Sequence, residues 1–365
     1  MCTMTASNPL QIVDISQETR VAAAELLDAL TTQGFVFIDG HDFTQIEVDS
    51  LFNLSKQFFQ LPREYKEKYI IDSSLGKNTG YISFTQENLD PSKKNDFKEG
   101  LNMSELNLLT GEPDCNGPIP DWLKNDTERY GLITSSIKKL NLLNLKLLEL
   151  VAIALSVEDQ NNGECKGKDW FTSRYKPTEK SGSTFRWLHY PVVNSEHPDA
   201  EIRAGAHTDY GSMTLLFQRE NQEGLEIYSP MSKLWEKVPF VKSERTNSGT
   251  ANAGGSAVAT EEKMAPPIVM NIGDLLSYWT AGLLKSTIHR VRFENSAGKQ
   301  QRNEDRYSIV FFAHPSDDTL LEPVPCDMIR YRSKMGRGVA KDEEKGEYIT
   351  ALQHLQKKLA NTYTR

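Results

Sequence analysis

Cysteine is scarce in this chain: four residues in 365 (Cys2, Cys115, Cys165 and Cys326), with no C-x-x-C pair. That spacing excludes a disulfide framework and a cysteine-rich zinc site, and it reads as reduced thiols in a reducing compartment. Positive charge is also short. Against 50 Asp and Glu stand 42 Lys and Arg, a net charge of −8. Nucleic acid or an anionic membrane as main partner would need a basic footprint, so neither is expected. No apolar run reaches membrane-spanning length, and the N-terminus has no basic segment followed by an apolar stretch. The expectation is a soluble, cytoplasmic protein without internal repeats, long enough to bury a sizeable core.

What is present divides the chain by pattern. Residues 1–180 read as mainly helical. Ser16 is placed to cap a helix over Arg20 to Thr32, with Gly34 as its left-handed stop. A short strand is expected over Val36 to Ile38. Thr44 and Glu47 have the capping-box spacing and open a helix with Leu51, Leu54 and Phe58 on one face, ending at Pro62. Lys77 to Met103 reads as polar and irregular, with Gly80, Tyr81 and Phe84 as candidate walls of a site. Between Asp126 and Leu155, Ile133, Ile137, Leu140, Leu143, Leu147 and Val151 recur at steps of three and four, which predicts a long helix. From Thr184 the pattern becomes short segments rich in β-branched and aromatic residues. Strands are expected at Thr184–Tyr190, Ala204–Thr208, Met213–Gln218, Leu225–Tyr228, Ile268–Ile272, Leu275–Tyr278, His289–Phe293 and Tyr307–His314, a sandwich or jelly roll. Val241 to Pro266 is rich in Ser, Thr, Asn, Ala and Gly and is read as a mobile hairpin insertion. An amphipathic helix is expected over Glu343 to Leu359. The whole is an α+β chain taken as one domain, with a jelly-roll core over 181–325 and a helical end over 326–365.

Two of the seven histidines stand in informative company. His207-Thr208-Asp209 sets an imidazole and a carboxylate two residues apart, on one face of an extended segment, so both can reach one metal ion. His289 enters another expected strand eighty positions beyond Asp209. Two histidines and one carboxylate form a facial set that leaves the opposite side of an octahedral ion open, which suits non-haem iron(II). By the same period of two, Arg306 and Ser308 share a face, with Tyr307 on the other. A guanidinium fork with a neighbouring hydroxyl can hold a carboxylate; the alternative is an ordinary salt bridge.

These segments resemble the iron(II)- and 2-oxoglutarate-dependent dioxygenases, in particular those similar to isopenicillin N synthase. The matching text is Ala206-His207-Thr208-Asp209-Tyr210-Gly211, Asn271-Ile272-Gly273-Asp274, Ser286-Thr287-Ile288-His289-Arg290-Val291 and Arg306-Tyr307-Ser308-Ile309. Weaker likeness runs upstream through Leu188-His189-Tyr190-Pro191, Phe58-Phe59-Gln60-Leu61-Pro62 and Gly34-Phe35. The resemblance implies a distorted double-stranded β-helix buttressed by N-terminal helices, and His207, Asp209 and His289 as iron ligands and catalytic centre. It also implies Arg306 and Ser308 as the holders of 2-oxoglutarate, with a further hydroxyl from Tyr190. Iron(II) would be the cofactor, 2-oxoglutarate and oxygen the cosubstrates, and a small organic molecule the substrate, to be hydroxylated, desaturated or cyclised. Three positions depart from the pattern: Asp39-Gly40-His41 at the first turn, Leu188 where the family commonly has Asn, and a longer gap between Asp209 and His289.

Substrate contacts are less determined. Counting by twos from Tyr190 puts Arg186 on the interior face, as a contact for a carboxylate or as half of an internal salt bridge. Tyr81, Phe84 and Trp279 are candidate aromatic walls or plain core. Other functions stay open at this point: a same-fold oxidase in which Arg306 and Ser308 bind the substrate, use of an ascorbate-type reductant, a zinc site, or a non-catalytic barrel for a small acid.

Overall fold

A computed structural model describes residues 8–363 except 73–77, 85, 88–95, 114–116, 161–162, 193–200, 252–257, 294–303, 338 and 340–345. The N-terminal half is built from β1 (Ile12–Asp14), α1 (Thr19–Thr32), β2 (Phe35–Asp39), α2 (Gln45–Phe59), α3 (Arg63–Lys66), β3 (Gly80–Ile82), β4 (Glu99–Ser104), α4 (Asp121–Lys124) and α5 (Thr127–Ala154). Strands β5 (Thr184–Tyr190), β6 (Ile202–His207), β7 (Met213–Phe217), β8 (Leu225–Tyr228), β9 (Trp235–Lys237), β10 (Thr246–Ala251), β11 (Val258–Lys263) and β12 (Ile268–Ile272) follow. After them come α6 (Asp274–Trp279), β13 (His289–Arg292), β14 (Arg306–Ala313), α7 (Asp327–Lys334) and α8 (Ala351–Tyr363).

Local chemistry accounts for the helix boundaries. The capping box of α2 forms, with Thr44 N–H donating to Glu47 and Glu47 N–H to the Thr44 hydroxyl. Asp126 caps α5 by accepting from the amides of Glu128 and Arg129. At α1 the cap is Glu18, which accepts from Val21 N–H; Ser16 instead hydrogen-bonds Asp14, so the expected Ser16 cap is corrected. Gly34 does end α1 in the left-handed region, at φ +71°. The described C-terminal helix begins at Ala351, later than expected, because Thr350 and Gln353 form a reciprocal cap there. Residues 252–257 of the 241–266 insertion lie outside the described part; on either side β10 and β11 pair as an antiparallel hairpin.

Two sheets face each other. The larger runs β1-β2-β12-β7-β14-β5-β4-β3 and the smaller β6-β13-β8-β9, the two walls of a double-stranded β-helix. Along β14 the period of two divides the side chains. Tyr307, Ile309 and Phe311 join the helical core with Trp187, Phe185, Leu215 and the apolar stripe of α5. Val310 turns the other way, into an interior cluster with Leu188, Tyr190, Ala204 and Val291. Ala204 and Val291 come from the smaller sheet, so this cluster is the inside of the barrel.

Two further expectations fail. Leu275–Tyr278 is not a strand but part of α6, with Leu275, Leu276 and Trp279 buried on one helical side. The segment expected to be irregular contains β3 and β4, which extend the large sheet against β5. Of its described polar residues, Glu87, Asp96, Lys98, Glu99 and Asn102 are buried with partners, which hydropathy alone hides.

Candidate metal centre

Strand ends bring the three expected ligands together. His207 ends β6 and His289 begins β13, and the two are direct neighbours across the antiparallel ladder. Asp209 lies two residues beyond His207, on the loop before β7. One ligand atom from each lies within 4.8 Å of the others. The spare donor atoms are all engaged elsewhere. Nδ1 of His207 is 2.7 Å from the Gly205 carbonyl and Nδ1 of His289 is 3.1 Å from that of Thr287, so each Nδ1 carries the proton and each Nε2 a free lone pair. Oδ2 of Asp209 accepts from Thr214 Oγ1 at 2.6 Å and Asn271 Nδ2 at 2.7 Å. Oδ1 remains, 3.8 Å from His207 Nε2 and 3.7 Å from His289 Nε2.

The electrostatics suit a cation. Burial, and then repulsion from His289, push the His207 imidazole down to about 3, so it is neutral at ordinary pH. Burial alone would raise Asp209, but the two imidazoles and the Thr214 and Asn271 hydrogen bonds outweigh it and hold the carboxyl below its usual range. Three lone pairs on one side of a common point, from neutral nitrogen and ionised oxygen, fit a divalent ion that draws each to about 2.1 Å.

Neighbouring loops hold this set in place. The free N–H groups at the start of α6 donate to it: Asp274 N–H to the Asp209 carbonyl and Leu275 N–H to that of Gly211. The Asp274 carboxylate accepts from Thr208 and Ser286, one residue in each ligand-bearing segment, and from Lys358 on α8. The Asn271 to Asp274 motif and Thr214 carry no such roles in the sequence alone; for Thr214 and Asn271 the signal is a short polar side chain within a strand.

Arg306 and Ser308 lie on the interior face of β14, opposite Tyr190 and Leu188. The guanidinium donates from Nη1 to Ser308 Oγ (2.5 Å) and from Nε to the Gln222 carbonyl (2.8 Å), and it stands 5.0 Å from the Tyr190 ring centroid. Gln222 also accepts from Tyr307 N–H, which braces the strand end.

Arg186 faces the same interior, opposite Val310. Its Nε donates to Asn102 at 2.5 Å, and its Nη atoms meet the Glu87 carboxylate at 3.3–3.4 Å, so the internal ion pair is formed. Lys98 closes the network on Glu87 and Asp96. Burial would raise Glu87, but Arg186 and Lys98 bring it down to about 2. Asp96 in turn accepts from Gly205 N–H, whose carbonyl orients His207. The sequence reading did not find Glu87, Asp96 or Lys98.

The proposed aromatic walls lie elsewhere. Tyr81 packs on Phe58 in the helical core and donates its hydroxyl to Glu99. Trp279 is wholly buried against Trp170 and Phe171 and donates to the Glu322 carbonyl. Both are core residues, because odd positions of β3 and the inner side of α6 face the helices. Phe84 is exposed beyond the end of β3.

Comparison with known proteins agrees with this geometry. Residues 10–118 match a family model described as the N-terminal region of the non-haem dioxygenase in morphine synthesis, and residues 246–315 match one for the 2OG-Fe(II) oxygenase superfamily. A 2-oxoglutarate-dependent dioxygenase of Glarea lozoyensis, gloF, is 24% identical over 95% of both chains. A proline hydroxylase of Petromyces alliaceus, buaE, is 29% identical, covering 93% of this chain and 92% of its own. Among solved structures, a full-length Neurospora crassa protein in complex with alpha-KG and thymine shares the fold. It superposes with a TM-score of 0.72, at 24% identity and 97% coverage of each chain.

Proposed function

We propose that the chain is a member of the 2OG-Fe(II) oxygenase superfamily, an iron(II)- and 2-oxoglutarate-dependent oxygenase in which His207, Asp209 and His289 hold the iron. We place it in the isopenicillin N synthase-like subgroup on its motifs, and in the cytoplasm on its cysteine usage. The observation that carries the site assignment is the convergence of two Nε2 atoms and one Oδ1, with Nδ1, Nδ1 and Oδ2 all tied back to the protein.

Bound iron, with 2-oxoglutarate and oxygen, supplies the oxidising power to attack a C–H bond of a small organic molecule, with succinate and carbon dioxide as coproducts. The chain supplies position. Gly205 and Thr287 fix the imidazole tautomers, and Thr214 and Asn271 aim one oxygen of Asp209 at the ion. Arg306 and Ser308 receive the far carboxylate of 2-oxoglutarate, with the Tyr190 ring against the guanidinium. Leu188, Val310, Val291 and Ala204 keep that end of the barrel apolar, which strengthens the charge pairing inside it. The net charge of −8 supports a free small molecule over a nucleic acid, and no helix among the described residues is long and apolar enough to cross a membrane.

Succinate release tests this reading. The protein with iron(II), 2-oxoglutarate and oxygen should form succinate slowly without substrate, and Arg306→Ala should raise the KM for 2-oxoglutarate about tenfold or more. Succinate formation independent of iron, or an unchanged KM in Arg306→Ala, would refute it.

A further inference from the structure

Among the described residues, one buried guanidinium is left over when the charges around the barrel interior are paired. Lys98 is held by Asp96 and Glu87, and Arg186 by Glu87 and Asn102. Arg306 meets Gln222 and Ser308 and is the group assigned above to 2-oxoglutarate. Arg203 lies on β6, four residues before His207, and is 4% exposed; neither its Nε nor its Nη1 has a hydrogen-bond partner among the described residues. Burial holds its guanidinium below the usual arginine range, and no carboxylate among the described residues offsets the effect. A buried cation with two unpaired nitrogens is costly, and an anion bound from outside would offset that cost.

Position indicates which anion. The Arg203 guanidinium stands 5.1 Å from the Phe293 ring centroid, Phe293 lies 6.3 Å from Tyr190, and Tyr190 lies 5.0 Å from the guanidinium of Arg306. Phe293 and Tyr190 pack with the interior cluster. Two guanidinium groups therefore flank one interior aromatic pair, and 2-oxoglutarate is assigned to only one of them. The charges agree. Among the described residues named here, Lys98, Arg186, Arg203 and Arg306 outnumber Glu87, Asp96 and Asp209 by one, while iron(II) and dianionic 2-oxoglutarate cancel.

We propose that Arg203 binds a carboxylate of the primary substrate, so that the molecule this enzyme oxidises is an organic acid. The inference rests on the oxygenase reading for the identity of the substrate, although the anion site itself does not.

Formate is the probe, since the smallest carboxylate is indifferent to the shape of the rest of the pocket. Carbon-13 formate is titrated into anaerobic protein carrying iron(II) and saturating 2-oxoglutarate, and its line broadening is followed. Wild type should show saturable broadening. Arg203→Gln and Arg203→Met should weaken formate binding about tenfold or more, with the visible absorption of iron(II) and 2-oxoglutarate intact in both. Arg203→Met should also raise Tm, because it removes an unpaired buried charge, whereas a purely structural arginine would lower it. Equal broadening in wild type and variants, loss of the 2-oxoglutarate absorption in the Arg203 variants, or a lower Tm in Arg203→Met would each overturn the proposal. If wild type itself lacked the 2-oxoglutarate absorption, the oxygenase reading would have failed, and the formate comparison would still decide the anion site.

Discussion

Asp209 divides its carboxylate between two tasks. Oδ2 is held by Thr214 and Asn271, and Oδ1 is thereby aimed between two imidazoles. Freed of those hydrogen bonds, the carboxylate would rotate and present its oxygens in several orientations. Asn271→Ala and Thr214→Val are therefore expected to lower iron(II) affinity about 10- to 100-fold while leaving the fold intact, as followed by anaerobic metal titration alongside circular dichroism. Unchanged affinity would mean that the aspartate is oriented by the metal alone. The proposed ligands are legible in the sequence because His207 and Asp209 sit two residues apart in an extended segment, where spacing fixes the face, and His289 enters a strand of its own. Thr214, Asn271, Glu87 and Arg203 are not. Their roles depend on which strands are adjacent, and no local spacing records that.

At the level of elements, α6 is the part that locks the metal loop. Its first amides cap the carbonyls of Asp209 and Gly211, and Asp274 ties Thr208 to Ser286. This closeness explains Gly273, whose backbone is unstrained but where an added Cβ would run into the Gly211 carbonyl oxygen. Backbone cannot yield as a side chain can. Gly273→Ala should cost about 2 kcal/mol or more of stability and weaken iron binding, read from urea unfolding and metal titration on the same preparation. A variant with wild-type values would show that the loop and helix are not in register through this contact. Sequence reading took Leu275–Tyr278 for a strand because a short, mostly apolar run fits a buried strand and a buried helix turn alike. Lys77 to Met103 reads as irregular because residues such as Glu99 and Asn102 are polar; both are buried in β4 with hydrogen-bond partners. By contrast α5 was legible throughout, since 28 residues with a regular stripe leave no ambiguity of period.

Across the whole molecule, buried neutral histidines set the response to acid. Burial pushes His207 down to about 3, and His314 and His354 to about 4. In the unfolded chain each would take a proton near pH 6.5. The unfolded state therefore binds more protons between those limits, and stability must fall as pH falls. Metal-free protein should be most stable above pH 6.5 and lose about 1.4 kcal/mol per pH unit for each such histidine on going below it. Glu87, depressed to about 2 by Arg186 and Lys98 after burial has raised it, extends the loss below pH 4.5 in the same direction. Urea midpoints at pH 7.5 and 5.0 measure the effect. Equal midpoints would show that the histidines are not buried as neutral groups.

One proposed centre, formed by His207, Asp209 and His289, would hold iron(II) beside a proposed 2-oxoglutarate site at Arg306 and Ser308. Its most direct test is an anaerobic titration of metal-free protein with iron(II) and then 2-oxoglutarate, following the weak visible charge-transfer absorption. A saturable band at one iron per chain is expected, absent in Asp209→Ala and reached only at higher 2-oxoglutarate in Arg306→Ala. A band that persisted in Asp209→Ala, or iron that bound without any band in wild type, would contradict it.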